Sequence, residues 1–244
     1  MSDLTGDAEK SLQIKIALRA RLLTVRRSLS DIALATAAAK LQDQTLALVR
    51  AAHPITIAAY VPIGSEPGGL DLPYRLAEAL PAGGRLLLPV LLPDNDLDWA
   101  EFTGVLTPAA RGLREPTGPP LGPAALRAAD LILVPALAVA RDGTRMGRGG
   151  GSYDRALARL DAPRPDPGGS PHDQVPAHPD DSHHGATTPR SDDPIPPTGP
   201  RIVALLHDGE DIDTVPAEPH DRRVHAVITP TGGLSLRPAP NRRM

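Results

Sequence analysis

The sequence predicts a three-layer α/β fold, a mostly parallel sheet with helices on both faces. Three observations carry this. Short apolar runs such as Leu131-Ile132-Leu133-Val134 and Ile202-Val203-Ala204-Leu205-Leu206 have the length of strands and no polar alternation, as expected of strands covered on both sides. They alternate with stretches of helical periodicity, the pattern of strands joined through crossover helices. A glycine-rich basic loop directly follows one of these runs, and open α/β sheets bind ligands there, at the carboxyl ends of the strands. In this sense the expected architecture is Rossmann-like.

In chain order, residues 8–28 have helical periodicity, and residues 30–52 form a second helix opened by Ser30 or Asp31 as its cap. Pro54 to Val61 reads as a strand, residues 70–80 as a helix and Arg85 to Val90 as a second strand. Trp99 to Phe102 is a short edge strand. A helix over 123–129 precedes the strand at 130–135. After the glycine-rich loop, Leu157 and Leu160 mark another helix, and Arg201–Leu206 and Val224–Thr229 are the last two strands. There is no internal repeat.

Residues 161–200 differ in kind. Eleven of the 29 prolines fall here, with many Asp, Gly, Ser and Thr and almost no apolar side chain. Such a segment buries too little surface to offset its ordering entropy. It is expected to be a disordered insertion splitting one discontinuous domain, 8–160 and 201–236, with flexible termini at 1–7 and 237–244. His172, His178, His183 and His184 interleave there with aspartates, and a solvated linker accounts for them better than a weak metal site.

A length of 244 residues suffices for a sizeable core, and the 41% apolar content is that of a globular chain. The only aromatics are Tyr60, Tyr74, Trp99, Phe102 and Tyr153, so the core must be aliphatic. A net charge of −3 argues against general binding to nucleic acid or anionic membranes. With no cysteine, disulfides, thiolate chemistry and Cys-type zinc sites are excluded. The N-terminus is polar and acidic, unlike a signal peptide, and no apolar run reaches membrane length. A cytoplasmic monomer is expected. Three lysines against 23 arginines reflect coding bias toward GC-rich codons.

The chemistry concentrates in Gly143-Thr-Arg145-Met146-Gly147-Arg148-Gly149-Gly150-Gly151-Ser152-Tyr153-Asp154. A strand, a glycine-rich loop and a helix start present backbone N–H groups and positive charge to an anion. Glycines let a ligand approach the backbone, and arginine forks suit phosphate or carboxylate. Asp154 supplies a carboxylate where a Mg²⁺ bridging to phosphates needs one. The loop lacks the Gly-Lys-Ser/Thr ending of a Walker A loop and fails the dinucleotide fingerprint. The residues themselves indicate a nucleotide or polyanion site.

The string Met-Gly-Arg-Gly-Gly-Gly-x-Tyr-Asp resembles the signature loop of the 5-formyltetrahydrofolate cyclo-ligase (5,10-methenyltetrahydrofolate synthetase) family. The preceding Asp130-Leu-Ile-Leu-Val-Pro-Ala-Leu-Ala-Val139 is similar to that family's strand into the loop. The resemblance spans roughly residues 10–160 and 201–235. It implies that Lys15 and Arg19, which share a helix face with Arg26, contact ATP phosphates together with Arg145, Met146, Gly147, Arg148, Gly149–Gly151, Ser152 and Tyr153. It implies a reduced-folate substrate held by Val61, Glu66, Trp99 and the loop residues Arg148 to Ser152. Arg148, Lys15 and Arg145 become the catalytic cations, and Asp154 and Asp221 the Mg²⁺ ligands. Leu113-Arg-Glu115-Pro116 is similar to a family element, with no role beyond shaping a loop. Two positions depart from the pattern: Ser152 stands where a tyrosine is usual, and His225 where an aspartate is more frequent.

The implied reaction cyclises 5-formyltetrahydrofolate to 5,10-methenyltetrahydrofolate with ATP and Mg²⁺. It needs no side-chain nucleophile, in accord with a chain lacking cysteine. The alternative is a non-catalytic folate- or nucleotide-binding homologue, against which the joint presence of Lys15, Arg148 and Asp154 counts. An RNA-binding module would need a basic surface and exposed aromatics, and the negative net charge and scarce aromatics count against it.

Overall fold

The structure is a computed structural model that describes residues 3–161, 199–218 and 221–238. The expected insertion therefore lies outside the described residues except for its ends. A seven-stranded sheet forms the centre, in the order β12-β11-β9-β6-β1-β2-β3. Its strands are β1 (Thr56–Ala58), β2 (Arg85–Leu91), β3 (Leu97–Glu101), β6 (Leu131–Pro135), β9 (Arg201–Leu205), β11 (Ala226–Thr229) and β12 (Gly233–Leu236). The five inner strands run parallel, and β3 and β12 close the two edges antiparallel.

The side-chain period of two assigns each strand residue to a face. Leu86, Leu88, Leu131, Leu133, Val203, Leu205 and Ile228 meet Leu41, Leu46 and Val49 of α2 (Asp31–Ala52) and Leu72 and Leu76 of α3 (Leu72–Ala79). Leu87, Ile132, Val134, Ile202, Ala204 and Val227 point the other way, onto Leu126 and onto Ala156 and Leu157 of α4 (Ser152–Ala158). These are the three expected layers. Ser30 is the cap of α2, its hydroxyl accepting from the Ala33 N–H at 3.2 Å.

Several details differ from expectation, each for a local reason. The first helix, α1 (Asp3–Ser28), begins upstream of residue 8, so residues 3–7 are helical. The strand expected over 54–61 pairs only over Thr56–Ala58, because the chain then leaves the sheet for a turn pinned by the Tyr60 hydroxyl donating to Pro67 O at 2.5 Å. The helix expected at 123–129 is a 3₁₀ turn, Pro123–Ala128; its i→i+3 bonds (Ala125 N–H to Gly122 O, Ala129 N–H to Leu126 O) suit so short a run. A hairpin, β4 (Leu106–Pro108) with β5 (Arg114–Pro116), and a small sheet of β7 (Ala138–Ala140), β8 (Arg145–Met146) and β10 (Asp211–Ile212) are additional. These pieces of two or three residues are too short to display a period.

Helix α1 does not cover the main sheet. Its Leu22 packs with Leu137, Ala138, Met146 and Val215 around the small sheet, and a bidentate ion pair at Arg26 helps anchor it. Arg26, 3% exposed, donates from Nε and Nη2 to the two carboxylate oxygens of Glu210 at 2.6 and 2.8 Å, and from Nη2 to Ala136 O at 2.5 Å. Glu210 Oε2 also accepts the His207 N–H at 2.8 Å. His225, at the family-variant position, is structural: its Nδ1 accepts the Ile202 N–H at 3.0 Å. Burial foremost, with Arg201 nearby, holds its pKa below the usual histidine value, which keeps the ring neutral and able to accept. No helix among the described residues is long and apolar enough to cross a membrane.

Removing one partner of a buried pair leaves the other charge uncompensated, at about 3–5 kcal/mol. Arg26→Met is expected to lower the Tm by roughly 10 °C, and adding Glu210→Leu to recover most of the loss. Thermal melts of the two variants check this; a double variant no more stable than Arg26→Met would contradict it.

Candidate active site

A cavity of about 550 Å³ opens at the carboxyl ends of β1, β2 and β6 and is roofed by the glycine-rich loop. The strand end at Pro135 leads through β7 to a reversal at Gly143, where φ is +87° and a Cβ would lie 2.6 Å from Val224 O, so only glycine fits. The chain returns as β8, antiparallel to β7, and carries Arg145 into the cavity wall. Gly149 (φ +104°) and Gly151 (φ +70°) then turn it into α4.

Lys15, Arg145 and Arg148 each meet an acid here, and two of those acids come from distant parts of the chain. Lys15, 2% exposed, donates to Asp221 Oδ2 at 2.7 Å and lies 3.1 Å from Glu218 Oε2. Arg145 donates from Nη2 to Asp154 Oδ1 at 2.6 Å and from Nη1 to Pro135 O at 3.2 Å, and stands 6.0 Å from the centre of the Tyr153 ring. Its Nε is buried and unpartnered among the described residues. Arg148, half exposed, reaches Glu66 Oε1 at 3.3 Å. Arg19 Nε donates to Gly147 O at 3.1 Å, joining α1 to the loop.

Glu66 is the most perturbed acid of the cavity. Burial raises its pKa, against the Ile63 N–H and the charge of Arg148, which hold it down. Tyr153 is pushed far up, by burial first and the Glu66 charge second. Its phenol therefore stays neutral and can stack or donate, but not act as a base.

Lys15, Arg19, Val61, Glu66, Arg145 to Asp154 and Asp221 all line this one cavity. Trp99 does not. It is fully buried in the core beside Leu87, Leu126 and Ile132, because its place in β3 turns the ring toward the face opposite α2; its expected contact with substrate is corrected to a packing role. Ser152 donates to Asn95 O at 2.6 Å, tying the loop to the β2–β3 turn. Arg26, Glu218, Arg114 and Glu115 also line the cavity, although sequence reasoning gave them no role there. The signals were present in Arg26 on the helix face of Lys15, in Glu218 three residues before Asp221, and in the Leu-Arg-Glu-Pro string.

Among the described residues no group of three or more His, Cys, Asp or Glu could hold a metal ion. Asp154 and Asp221 each also face a cation. This donor set fits a Mg²⁺ held mainly by phosphate oxygens and water, with one or two carboxylates, and not an all-protein cation cage.

Comparison with known proteins gives the family and the fold. A model of the 5-formyltetrahydrofolate cyclo-ligase family matches residues 11–167. A 5-formyltetrahydrofolate cyclo-ligase of Mycolicibacterium smegmatis is 36% identical over 226 residues, 90% of this chain and 95% of that protein. Two solved structures share the fold at 20% identity. The 5,10-methenyltetrahydrofolate synthetase of Aquifex aeolicus has a TM-score of 0.61, covering 95% of each chain. That of Mycoplasma pneumoniae has a TM-score of 0.57, covering 87% of this chain and 96% of the other.

Because the folded-state pKa of Glu66 is raised, its carboxylate costs stability that grows as pH rises above the unfolded-state value and vanishes below it. Glu66→Gln is therefore expected to match or exceed the parent Tm near neutral pH, with the difference closing as pH falls into the ordinary carboxylate range. Melts across pH check the sign; a variant less stable than the parent near neutral pH, with the deficit closing on acidification, would show that the Arg148 pairing outweighs burial.

Proposed function

The chain belongs to the 5-formyltetrahydrofolate cyclo-ligase family, and from that premise we propose that it cyclises 5-formyltetrahydrofolate to 5,10-methenyltetrahydrofolate, with ATP converted to ADP and phosphate. The observation that supports this most directly is the convergence of Lys15, Arg19, Arg145, Arg148 and the glycine loop with Glu66 and Val61 on one cavity. A triphosphate and a polar heterocycle find complementary groups there side by side.

The chemistry follows from the weakness of a formamide oxygen as a leaving group. That oxygen attacks the γ-phosphorus and ADP departs, leaving an O-phosphorylated iminium at N5. The neighbouring N10 adds to the activated carbon and loses its proton, the C–O bond breaks, and phosphate leaves with the ring closed. Such steps call for positioning and charge stabilisation, not a protein nucleophile. Lys15 and Arg145 are buried, so their charges act at short range in a poorly screened site. Arg148, exposed and flexibly paired, is free to turn from Glu66 toward the transferring phosphoryl group. Arg19 and the amides of Gly149–Gly151 take further phosphate oxygens. Asp154 and Asp221 would hold a Mg²⁺, whose part is to neutralise phosphate charge. Glu66, released from Arg148, accepts from the N–H donors of the pterin beside Val61.

The test mixes the protein with 5-formyltetrahydrofolate and Mg²⁺, with and without ATP, and follows the near-ultraviolet absorbance of methenyltetrahydrofolate. ATP-dependent growth is expected; a flat trace from protein that binds ATP would mark a non-catalytic homologue. Arg148→Ala is expected to reduce turnover at least 10²-fold, the order seen when a transition-state donor is lost, with an unchanged circular dichroism spectrum. Retained turnover would remove Arg148 from the mechanism.

A further inference from the structure

The cavity has a second cationic end that the reaction does not use. Arg114, on β5, and Arg111, in the turn before it, line the cavity together with Leu113 between them. Arg111 donates from Nη1 to Asn95 Oδ1 at 2.6 Å, a neutral partner. Arg114 is partly buried, and among the described residues its guanidinium has neither a hydrogen bond nor an ion pair. Apart from Arg111, every other arginine or lysine of the cavity wall either faces a carboxylate or, like Arg19, is tied to the glycine loop. The adjacent acid, Glu115, is turned to the backbone: its Oε1 accepts the Leu91 N–H at 2.9 Å. A guanidinium that gives up part of its hydration without an acid is a receptor for an anion.

The order of strands tells the two cationic ends apart. From the middle of the sheet toward one edge it runs β6, β1, β2, β3. The phosphate-side groups follow β6, and Glu66 follows β1. Pro89 and Leu91 of β2 and Leu97 of β3 come next as an apolar wall, and the β4–β5 hairpin lies beyond, its β5 packed on β2. The sequence of surfaces is therefore phosphate cradle, carboxylate, apolar wall, arginine pair. A reduced folate has the matching order, a hydrogen-bonding pterin, an aromatic benzoyl link and a glutamate with two carboxylates.

Resting on the function proposed above, we propose that Arg114, supported by Arg111, binds the glutamate carboxylates of the substrate and so reads the anionic tail of the folate. Arg114 is the main determinant, being partly buried and, among the described residues, without a competing partner. Arg111 contributes at the rim, where water screens it. This gives the Leu-Arg-Glu-Pro string a binding role: Leu113 sits between the two arginines, and Glu115 fixes the hairpin to β2.

The experiment compares 5-formyltetrahydrofolate with its des-glutamyl analogue, 5-formyltetrahydropteroate, in the methenyl absorbance assay for the parent, Arg114→Ala and Arg114→Lys. With the glutamylated substrate, Arg114→Ala is expected to raise KM about tenfold, the loss of one charge-assisted contact, and lysine to restore part of it. The gap between variant and parent is expected to close on the des-glutamyl analogue, and KM for ATP to move less than twofold. Equal loss on both substrates would make Arg114 merely structural, a rise in KM for ATP would assign it to the nucleotide, and no change would dismiss it; each overturns the proposal. Should the parent fail to turn over either substrate, the function proposed above falls by itself. Calorimetric binding of the same two pteridines to parent and Arg114→Ala then decides the tail site: a glutamate preference lost in the variant supports it, and equal binding overturns it.

Discussion

The bidentate pair of Arg26 and Glu210 is the interaction on which the rest of the site depends. It is buried, so its two charges are justified only by each other and by the backbone groups they satisfy. Arg26 ties α1 to the chain just after β6 through Ala136 O, and Glu210 collects the His207 N–H. His207 in turn bonds through its ring to Ser65 O at 2.9 Å, next to Glu66. One chain of contacts thus sets the helix that carries Lys15 and Arg19, the strand end that leads to Arg145, and the turn that carries Glu66. Helix α1 relies on such polar ties, since many of its apolar residues, Leu12, Ile14, Ile16 and Val25 among them, are exposed.

The electrostatics of the cavity have a common design. Lys15 rests against Asp221 and Glu218, Arg145 against Asp154, and Arg148 against Glu66. The pairs hold the cations in place without ligand, so little ordering is left for the moment of binding. They also differ in how readily they yield. Lys15 and Arg145 are enclosed. Arg148 reaches out of solvent to a carboxylate that burial already disfavours, so it is the pairing most easily exchanged for a ligand.

Much of this was legible from residue order. The parallel strands showed as unalternating apolar runs, and both faces of the sheet carry them as expected. Ser30 announced the second helix, and Gly147 to Asp154 announced the glycine-rich loop that lines the cavity. The short pieces were not legible. β7, β8 and β10 exist because the chain must double back at Gly143 and find partners there, and two or three residues contain no period. Trp99 misled because the family resemblance set it against the substrate, whereas one strand register turns the ring into the core. Arg114 was visible as a residue, but that no acid among the described residues pairs with it is a property of its surroundings.

The sequence by itself determined the fold class, the covered strands and the chemistry of the loop, because periodicity and glycine-arginine spacing are local properties of a chain. Tertiary structure alone decided which acid meets which cation. Lys15 and Asp221 are 206 residues apart in sequence, and Arg148 and Glu66 are 82 apart. Their meeting follows from the strand order, and strand order is settled by how all the apolar faces pack at once.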